Sequence, residues 1–358
     1  MVSAFDAFAV KRPQIISVAA TEATGGARQS VSLEGDKGNE RLIMTTATSA
    51  ISTRPEAPQS FHIDTNGLRL CVETRGDPRG EPVLFIMGLA AQMTLWPEEL
   101  LDAYANAGYR VIRFDNRDIG LSTHLKDRLT GHPVTVMARH RMGLPVEAPY
   151  TLHNMAADVS GLVEALGLTS VHLVGVSMGG MISQVLAATY PEKVRTLTLI
   201  MTSTNSPRLP MPQPRLIWKL AGVGAKGHHE EAVVERSLAF WRAIQSPGYP
   251  PREEEVRDRI TRDYRRSYHP AGILRQTRAI LATGSLSSMT RRIRVPTVII
   301  HGSDDPLVRP VAAEQLKYLI PHARLERIPG MGHDLPAPLL ADFAAMSMAI
   351  IEQRPPDA

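Results

Sequence analysis

The sequence predicts an α/β fold, with a mostly parallel central sheet, flanking helices and an inserted helical cap. Short apolar runs typical of buried strands alternate with longer stretches whose apolar residues recur at helical spacing. The alternation stops over residues 203–290, which contain no convincing strand, and it resumes at Pro296. We therefore expect residues 61–202 and 291–358 to form the core. Residues 203–290 are expected to form the cap.

The predicted strand at residues 82–87 is a continuous apolar run, as in sheets covered on both faces. The helices between the predicted strands are closed by glycines, such as Gly108 and Gly167. Residues 123–150 contain three prolines, so we expect an irregular segment that contributes to the lid. The predicted strands are 68–74, 82–87, 110–114, 171–174, 196–201, 296–300 and 324–328. The predicted helices are 95–107, 155–166, a helix ending at Tyr190, 310–319 and a last helix from Pro336.

The composition is that of a globular enzyme. Of the 358 residues, 43% are hydrophobic and 21% are charged, which suits one large core with an inserted subdomain. The 40 basic and 36 acidic residues nearly cancel, and no basic stripe is present, so we predict no nucleic-acid partner. No stretch approaches the ~20 apolar residues of a membrane span. Cys71 is the only cysteine, which excludes an internal disulfide and a thiolate metal cluster.

The N-terminal region differs from the rest of the chain. Residues 1–60 are rich in Ala, Thr, Ser and Gly without a sustained period, so we predict a disordered extension. Charged and proline residues at 11–13 interrupt any apolar stretch, unlike a secretory signal. Together with the single cysteine, this predicts a cytoplasmic protein. Translation could start at Met1 or at Met44, and the sequence leaves this choice open.

A nucleophile motif lies between a predicted strand and a predicted helix. Residues 175–179 read Gly-Val-Ser-Met-Gly, the pattern G-x-S-x-G. Where a strand turns sharply into a helix, the central residue takes a strained conformation, and the glycines allow close backbone approach. The helix N-terminus beside the Ser177 hydroxyl favours an oxyanion. We therefore predict that Ser177 is a nucleophile, rather than a serine in an ordinary Gly-rich turn.

An acid and a base follow late in the chain. A serine hydroxyl needs a base to take its proton, and the base needs an acid to orient it. Asp305 follows the sixth predicted strand, and His333 lies in a Gly-rich loop after the seventh. This order and placement predict Asp305 as the acid and His333 as the base. Asp304 is the rival acid, although a turn-stabilising role is favoured for it. Asp334 is too close in sequence to orient the imidazole easily.

The reaction also needs an oxyanion hole with two N–H donors. The first donor is predicted to be the amide of Met178, the residue after the nucleophile. The second is predicted to be the amide of Leu89, in the loop after the strand at residues 82–87. This chemistry requires no metal and no organic cofactor, and we predict neither.

Four segments give the chain a likeness to a known family. From about residue 62 to 352 the sequence resembles the α/β-hydrolase superfamily. It is most similar to capped bacterial esterases of the type that includes anthracycline (aclacinomycin-type) methylesterases. That likeness implies the same triad and oxyanion positions. One departure is Met87-Gly88, where many members have His-Gly, which makes the pocket floor less polar. The segments are 85–90 (FIMGLA), 114–122 (FDNRDIGLS), 175–180 (GVSMGG) and 329–334 (PGMGHD).

Other charged groups are interpreted as structural. Residues 252–266 mix both signs, so we expect a solvated helix face. Arg117 and Asp118 are assigned a turn role rather than substrate binding. His228 and His229 are adjacent and point in different directions, without matching ligands nearby in the sequence, so we predict no metal site.

The sequence therefore predicts a serine carboxylic-ester hydrolase that acts through an acyl-enzyme on a small-molecule ester. Cofactor-free perhydrolase, lactonase, C–C bond hydrolase and amide hydrolase activities remain open alternatives. So does a receptor of the same fold with slow or no turnover. The sequence leaves the natural substrate and the oligomeric state open. Candidate substrate-contacting residues are Gly88, Trp218, Phe240 and Trp241, although ordinary cap core is the favoured role for the three aromatic residues.

Overall fold

The computed structural model describes residues 59–212, residue 216 and residues 227–353. These residues contain an eight-stranded sheet with strand order β1-β2-β4-β3-β5-β6-β7-β8. β2 runs antiparallel to both its neighbours, and every other neighbouring pair is parallel. The predicted α/β fold is thus confirmed. The strands are β1 (Gln59–Thr65), β2 (Leu68–Gly76), β3 (Pro82–Ile86), β4 (Arg110–Phe114), β5 (Val171–Val176), β6 (Val194–Ile200), β7 (Thr297–Gly302) and β8 (Arg324–Ile328).

Helices cover both faces of the sheet, so alternate residues of the central strands enter two separate cores. On β5, Leu173 packs with one cluster that includes helices α3 and α4, and Val174 with another that includes α1 and α10. This explains the continuous apolar runs, since neither face is solvated. The helices are α1 (Glu98–Asn106), α2 (Pro133–Arg141), α3 (Leu152–Ala165), α4 (Met178–Thr189), α5 (Glu230–Ile244), α6 (Glu253–Arg266), α7 (Pro270–Thr283), α8 (Ser287–Thr290), α9 (Val311–Leu319) and α10 (Leu340–Glu352).

The described part of residues 203–290 is helical. α5 and α6 pack against each other through a small core of their own, formed by Val234, Leu238, Val256 and Ile260. Trp241 packs against this core. The helical character of the segment follows from its apolar spacing, whereas its role as a cap remains a prediction.

Two elements differ from the expectations. Residues 123–150 are not wholly irregular, because α2 lies within them; proline stands at its first position, and the His132 ring accepts the Val134 N–H. β1 was not predicted, and its residues 59 and 60 fall within the extension that was expected to be disordered. Its side chains from Ser60 to Asp64 are exposed or half-buried. An edge strand without a buried face shows no clear alternation of apolar residues. The expectations for residues 1–58 and for the Met44 start lie outside the described residues.

No helix in the described ranges combines the length and the apolar character that crossing a membrane requires.

Phe85 anchors β3, the strand that leads into the predicted oxyanion loop. Its ring is fully buried and makes edge-on contacts with Trp96 and Tyr104, with 5.1 Å between centroids in each pair. Such pairs favour offset or edge-to-face geometry because ring edges are positive and ring faces negative.

We predict that Phe85→Ala lowers the free energy of unfolding by about 3–5 kcal/mol, since it leaves a cavity between two rings. Phe85→Leu should cost less than the alanine variant. Urea unfolding monitored by far-UV circular dichroism measures both. Phe61→Ala, on the partly exposed β1, is the control and should change stability by under about 1 kcal/mol. Equal losses at both positions would contradict this account of the core.

Candidate active site

Ser177 occupies a strained turn between β5 and α4. Its backbone has φ 53° and ψ −118°, a region that non-glycine residues seldom adopt. Two contacts to the end of β6 hold it there: its N–H donates to the Ile200 carbonyl at 3.0 Å, and its carbonyl accepts from the Thr202 hydroxyl at 2.6 Å. Strain of this kind persists only where the surroundings fix it. The half-buried hydroxyl therefore has a defined position at the carboxyl end of the sheet.

The glycines of the motif permit backbone contacts that a side chain would block. A Cβ on Gly179 would stand 2.0 Å from the Ile86 carbonyl oxygen, and one on Gly175 would stand 2.4 Å from the Ser183 Oγ. Gly88 lies against Ser177, since a Cβ there would be 3.2 Å from the Ser177 Cβ. Glycine is required here for close approach, as the motif predicted.

His333 and Asp305 meet Ser177 although they lie far from it in the sequence. The His333 Nε2 is 3.1 Å from the Ser177 Oγ, and its Nδ1 is 2.7 Å from the Asp305 Oδ2. A carboxylate only accepts hydrogen bonds, so Nδ1 carries the hydrogen and Nε2 is free to accept from the hydroxyl. His333 and Asp305 are both buried. The three side chains form one hydrogen-bonded chain.

The second oxygen of Asp305 is also bound. Oδ1 accepts the backbone N–H groups of Leu307 and Val308, at 2.9 and 2.8 Å, which fixes the carboxylate plane. The rival Asp304 contacts the histidine loop differently, because its Oδ2 accepts the Gly330 N–H at 3.0 Å. The geometry therefore brings Asp305 to the imidazole and Asp304 to the backbone.

A second histidine, His301 at the end of β7, lies beside Asp305. Its Nε2 is 2.8 Å from the Val308 carbonyl oxygen and 3.5 Å from the Asp305 Oδ2. The carbonyl accepts, so Nε2 carries the hydrogen; the buried Nδ1 has no hydrogen-bond partner among the described residues. Burial lowers the pKa of the His301 imidazole, against the opposing effect of the Asp305 charge. A role for this residue was not predicted, although His301 begins the segment His-Gly-Ser-Asp-Asp that ends at the predicted acid Asp305.

The histidine loop is held by the turn after α5. The His333 N–H donates to the Ile244 carbonyl at 2.7 Å, and the Gly332 N–H donates to the Ser246 Oγ at 2.8 Å. The backbone N–H of Ser246 donates to the Asp334 Oδ1 at 3.0 Å, and its hydroxyl donates to the same oxygen. Burial raises the pKa of the Asp334 carboxyl, while these two hydrogen bonds oppose the rise. Ser246 was not predicted, because nothing in its local sequence links it to a loop almost ninety residues away.

The predicted oxyanion donors belong to two segments that adjoin Ser177. Met178 is the first residue of α4, where helix N–H groups have no partner within the helix. Leu89 follows Gly88, whose backbone lies against Ser177. Both amides thus belong to segments in contact with Ser177, and their role as donors remains a prediction.

The substrate-contacting candidates have different surroundings. Trp241 is half-buried against the small core of α5 and α6, and the Arg259 guanidinium lies 4.6 Å from its ring centroid. Phe240 on α5 is half-buried. Trp218 lies outside the described residues. A pocket role for these side chains remains a prediction.

The interpretation of residues 252–266 as a solvated face is wrong for the inner side of α6. Arg266 forms an ion pair of 2.8 Å with Asp115, which is fully buried, and Asp263 accepts from the Thr94 hydroxyl at 2.6 Å. Arg266 also lies 3.7 Å from the Cys71 sulfur, and burial raises the pKa of that thiol. A mixed charge run shows neither which members point inward nor what they meet there.

Arg117 and Asp118 form buried ion pairs. Arg117 donates to both oxygens of Asp158 at 2.6 Å, and Asp118 accepts two hydrogen bonds from Arg275 at 2.9 and 2.8 Å. Such paired contacts suit the predicted structural role. No cluster of three or more potential ligand side chains with the geometry to hold a metal ion occurs in the ranges 59–212 and 227–353.

The parallel sheet, the serine at its sharp turn and the side chains that meet it define a hydrolase of the α/β class. The chain belongs to the family described by the alpha/beta hydrolase fold model, which matches residues 81–336. The motifs had predicted this membership.

Two curated relatives are methylesterases. The rhodomycin D methylesterase DnrP of Streptomyces peucetius is 26% identical over 302 residues, covering 79% of this chain and 95% of the relative. The rhodomycin D methylesterase DauP of Streptomyces sp. strain C5 is 28% identical over 304 residues, with the same coverage of 79% and 95%. The resemblance to this group of esterases is confirmed.

Solved structures share the fold. The enol-lactonase from Burkholderia xenovorans LB400 matches with a TM-score of 0.65 at 20% identity, over 82% of this chain and 100% of that one. At this identity the likeness establishes the common architecture.

We predict that unfolding depends on pH through His301. Its pKa is lowered in the folded state, so below about pH 6.5 the unfolded chain binds a proton that the folded chain does not. The stability due to neutral His301 is complete above pH 6.5. It is lost as the pH falls from 6.5 toward the lowered pKa, by at most about 1.4 kcal/mol per pH unit.

His301→Gln should reduce this slope, because glutamine does not titrate and its amide can still reach the Val308 carbonyl. Urea unfolding at several values between pH 5.5 and 7.5 measures the slope. His62→Gln, on the exposed part of β1, is the control and should keep the wild-type slope. An unchanged slope in His301→Gln would count against the buried neutral imidazole.

Proposed function

We propose that this protein hydrolyses carboxylic esters through an acyl-enzyme formed on Ser177. The observation that carries the proposal is the hydrogen-bonded chain from Ser177 through His333 to Asp305, with contacts of 3.1 and 2.7 Å. A neutral imidazole that accepts from a hydroxyl and donates to a carboxylate is the arrangement that activates a serine.

The proposed reaction has two stages. His333 takes the hydroxyl proton as Ser177 attacks the ester carbonyl, and the tetrahedral oxyanion is bound by the amides of Leu89 and Met178. The imidazolium, stabilised by Asp305, then protonates the leaving alcohol. In the second stage His333 activates a water molecule, which attacks the acyl-enzyme and releases the acid. No metal or organic cofactor enters any step.

We further propose that residues 203–290 cap the site, as the sequence suggested. Three contacts support this role: Asp263 on α6 accepts from Thr94, the Gln92 side chain donates to the Asp263 carbonyl, and Ile244 at the end of α5 accepts from His333. The inserted helices thus contact the loop after β3 and the histidine loop, both of which adjoin Ser177. A lid contribution from residues 123–150 is also proposed, since the His140 Nδ1 on α2 lies 3.1 Å from the Leu281 carbonyl on α7.

The class of ester is proposed from the relatives. Because two relatives are rhodomycin D methylesterases, we propose methyl esters as substrates of this protein. The enol-lactonase shares only the fold, but a lactone is an internal ester that the same groups could open. A panel of methyl esters, p-nitrophenyl esters of increasing chain length, lactones and C–C hydrolase substrates distinguishes these activities. The cytoplasmic location stays a prediction.

We expect rapid release of p-nitrophenol from a short acyl ester, and a loss of about 10⁴- to 10⁶-fold in kcat for Ser177→Ala. A serine-directed phosphonate should label Ser177 with a stoichiometry of one, measured by intact mass and peptide mapping. Ser170→Ala is the matched control, because this serine precedes β5 at the opposite end of the strand and binds Arg195.

The alternative is a receptor of the same fold. The receptor would be favoured if the wild-type protein formed a stable complex with an ester and hydrolysed that ester only slowly, at a rate unchanged in Ser177→Ala. Phosphonate labelling at another residue of the folded protein would refute the assignment of the nucleophile.

A further inference from the structure

The loop that follows β3 contains a strained residue beside the predicted oxyanion donor. Ala90 has φ 63°, in the left-handed region that favours glycine. Leu89 precedes it, and Gly88 lies against Ser177. An alanine keeps this conformation only where its neighbours hold the backbone in place. The contacts that hold it therefore determine where the Leu89 N–H points.

Two buried carboxamides provide those contacts. The Asn116 side chain, just after β4, donates its Nδ2 hydrogen to the Met87 carbonyl at 3.0 Å. The Gln276 side chain, on α7, accepts the Ala90 N–H at 3.1 Å and donates to the Arg117 carbonyl at 2.8 Å. Gln276 is 0% exposed and Asn116 is 2% exposed, so water competes for neither amide. Each side-chain amide is held in one orientation, because its hydrogen-bond partners are backbone groups.

These contacts lie on both sides of the Leu89 amide. The Met87 carbonyl belongs to the peptide unit before that of Leu89 N–H, and the Ala90 N–H belongs to the unit after it. With both outer peptide planes fixed, the middle plane can rotate only within narrow limits. A donor that is already oriented toward a developing negative charge needs no reorganisation during the reaction.

We propose that Gln276 and Asn116 are positioning residues that orient the Leu89 N–H for the oxyanion. The inference rests on the proposed ester hydrolysis and extends it to two side chains that do not touch substrate. A carboxylate cannot replace either side chain without loss of a contact, because each side chain donates to a carbonyl oxygen and a carboxylate only accepts. Gln276 lies on α7, which is part of the proposed cap at residues 203–290, so this helix also supports the reacting centre.

The test uses the nearly isosteric variants Gln276→Glu and Asn116→Asp, each of which removes one donor and keeps the shape. We expect kcat per phosphonate-titrated site to fall by about 10- to 10³-fold, with KM changed less than about threefold. The inhibition constant of a trifluoromethyl ketone, which forms a tetrahedral oxyanion on the serine, should rise in parallel with the loss of kcat/KM. The double variant should lose little more than the worse single variant, since both act on one loop.

The matched control is Asn205→Asp. The Asn205 amide donates to the Ile280 and Gly284 carbonyls, at 2.6 and 2.8 Å, at the far end of α7 and the residue after it. This variant should lower thermal stability and leave kcat per titrated site within about twofold. Titration counts only folded sites, so a purely structural role for Gln276 would lower the titrated fraction and leave kcat unchanged.

The outcomes separate the two proposals. If wild-type turnover depends on Ser177 but both carboxylate variants keep wild-type kcat and ketone affinity, the positioning role is wrong and the proposed function stands. An equal loss of kcat in Asn205→Asp would also overturn it. If wild-type protein shows no turnover that depends on Ser177, the proposed function fails and the positioning role fails with it.

Discussion

The site depends on the close approach of the turn at Ser177 to the end of β3. Gly179 makes this approach possible, because the Ile86 carbonyl occupies the space that a Cβ would need. The same contact brings Gly88 against Ser177 and lets α4 begin one residue after Ser177. A wider separation would move the loop after β3, and with it the Leu89 amide, away from the serine. Hydrophobic packing stabilises the sheet, whereas this contact between backbones determines where Ser177 and the loop after β3 meet.

Contacts distant in sequence then fix each loop at the carboxyl edge. The histidine loop is held by the turn after α5, the loop after β3 by α6 and α7, and the loops after β4 by buried ion pairs. Breaking a buried pair by removing one partner typically costs about 3–5 kcal/mol, since the remaining charge stays unsolvated. The inserted helices are therefore part of the support of the site as well as its proposed cover.

The sequence predicted the elements whose signals are local. The turn at Ser177 has its glycines beside it. Asp305 and His333 each follow a predicted strand, and the order of these strands along the chain predicted that both side chains would lie near Ser177. β1 and α2 were not predicted, because apolar residues show no regular spacing in a solvated edge strand or in a polar helix. The inward side of α6 was misread, since Asp263 and Arg266 meet their partners only in three dimensions. Nothing in the sequence around Gln276 pointed to a role at the site, because the proposed role follows from the distant backbone groups that its side chain contacts.

The environment of Cys71 has a practical consequence. It is the only cysteine in the 358 residues, it is fully buried on β2, and burial raises the pKa of its thiol. Thiolate is the form that reacts with maleimides, so we expect the buried thiol of the folded chain to resist alkylation. A cysteine introduced at an exposed position of α5 or α6 would then be the single point for attaching a fluorophore. Movement of these helices relative to the sheet could be followed optically without first removing the native thiol.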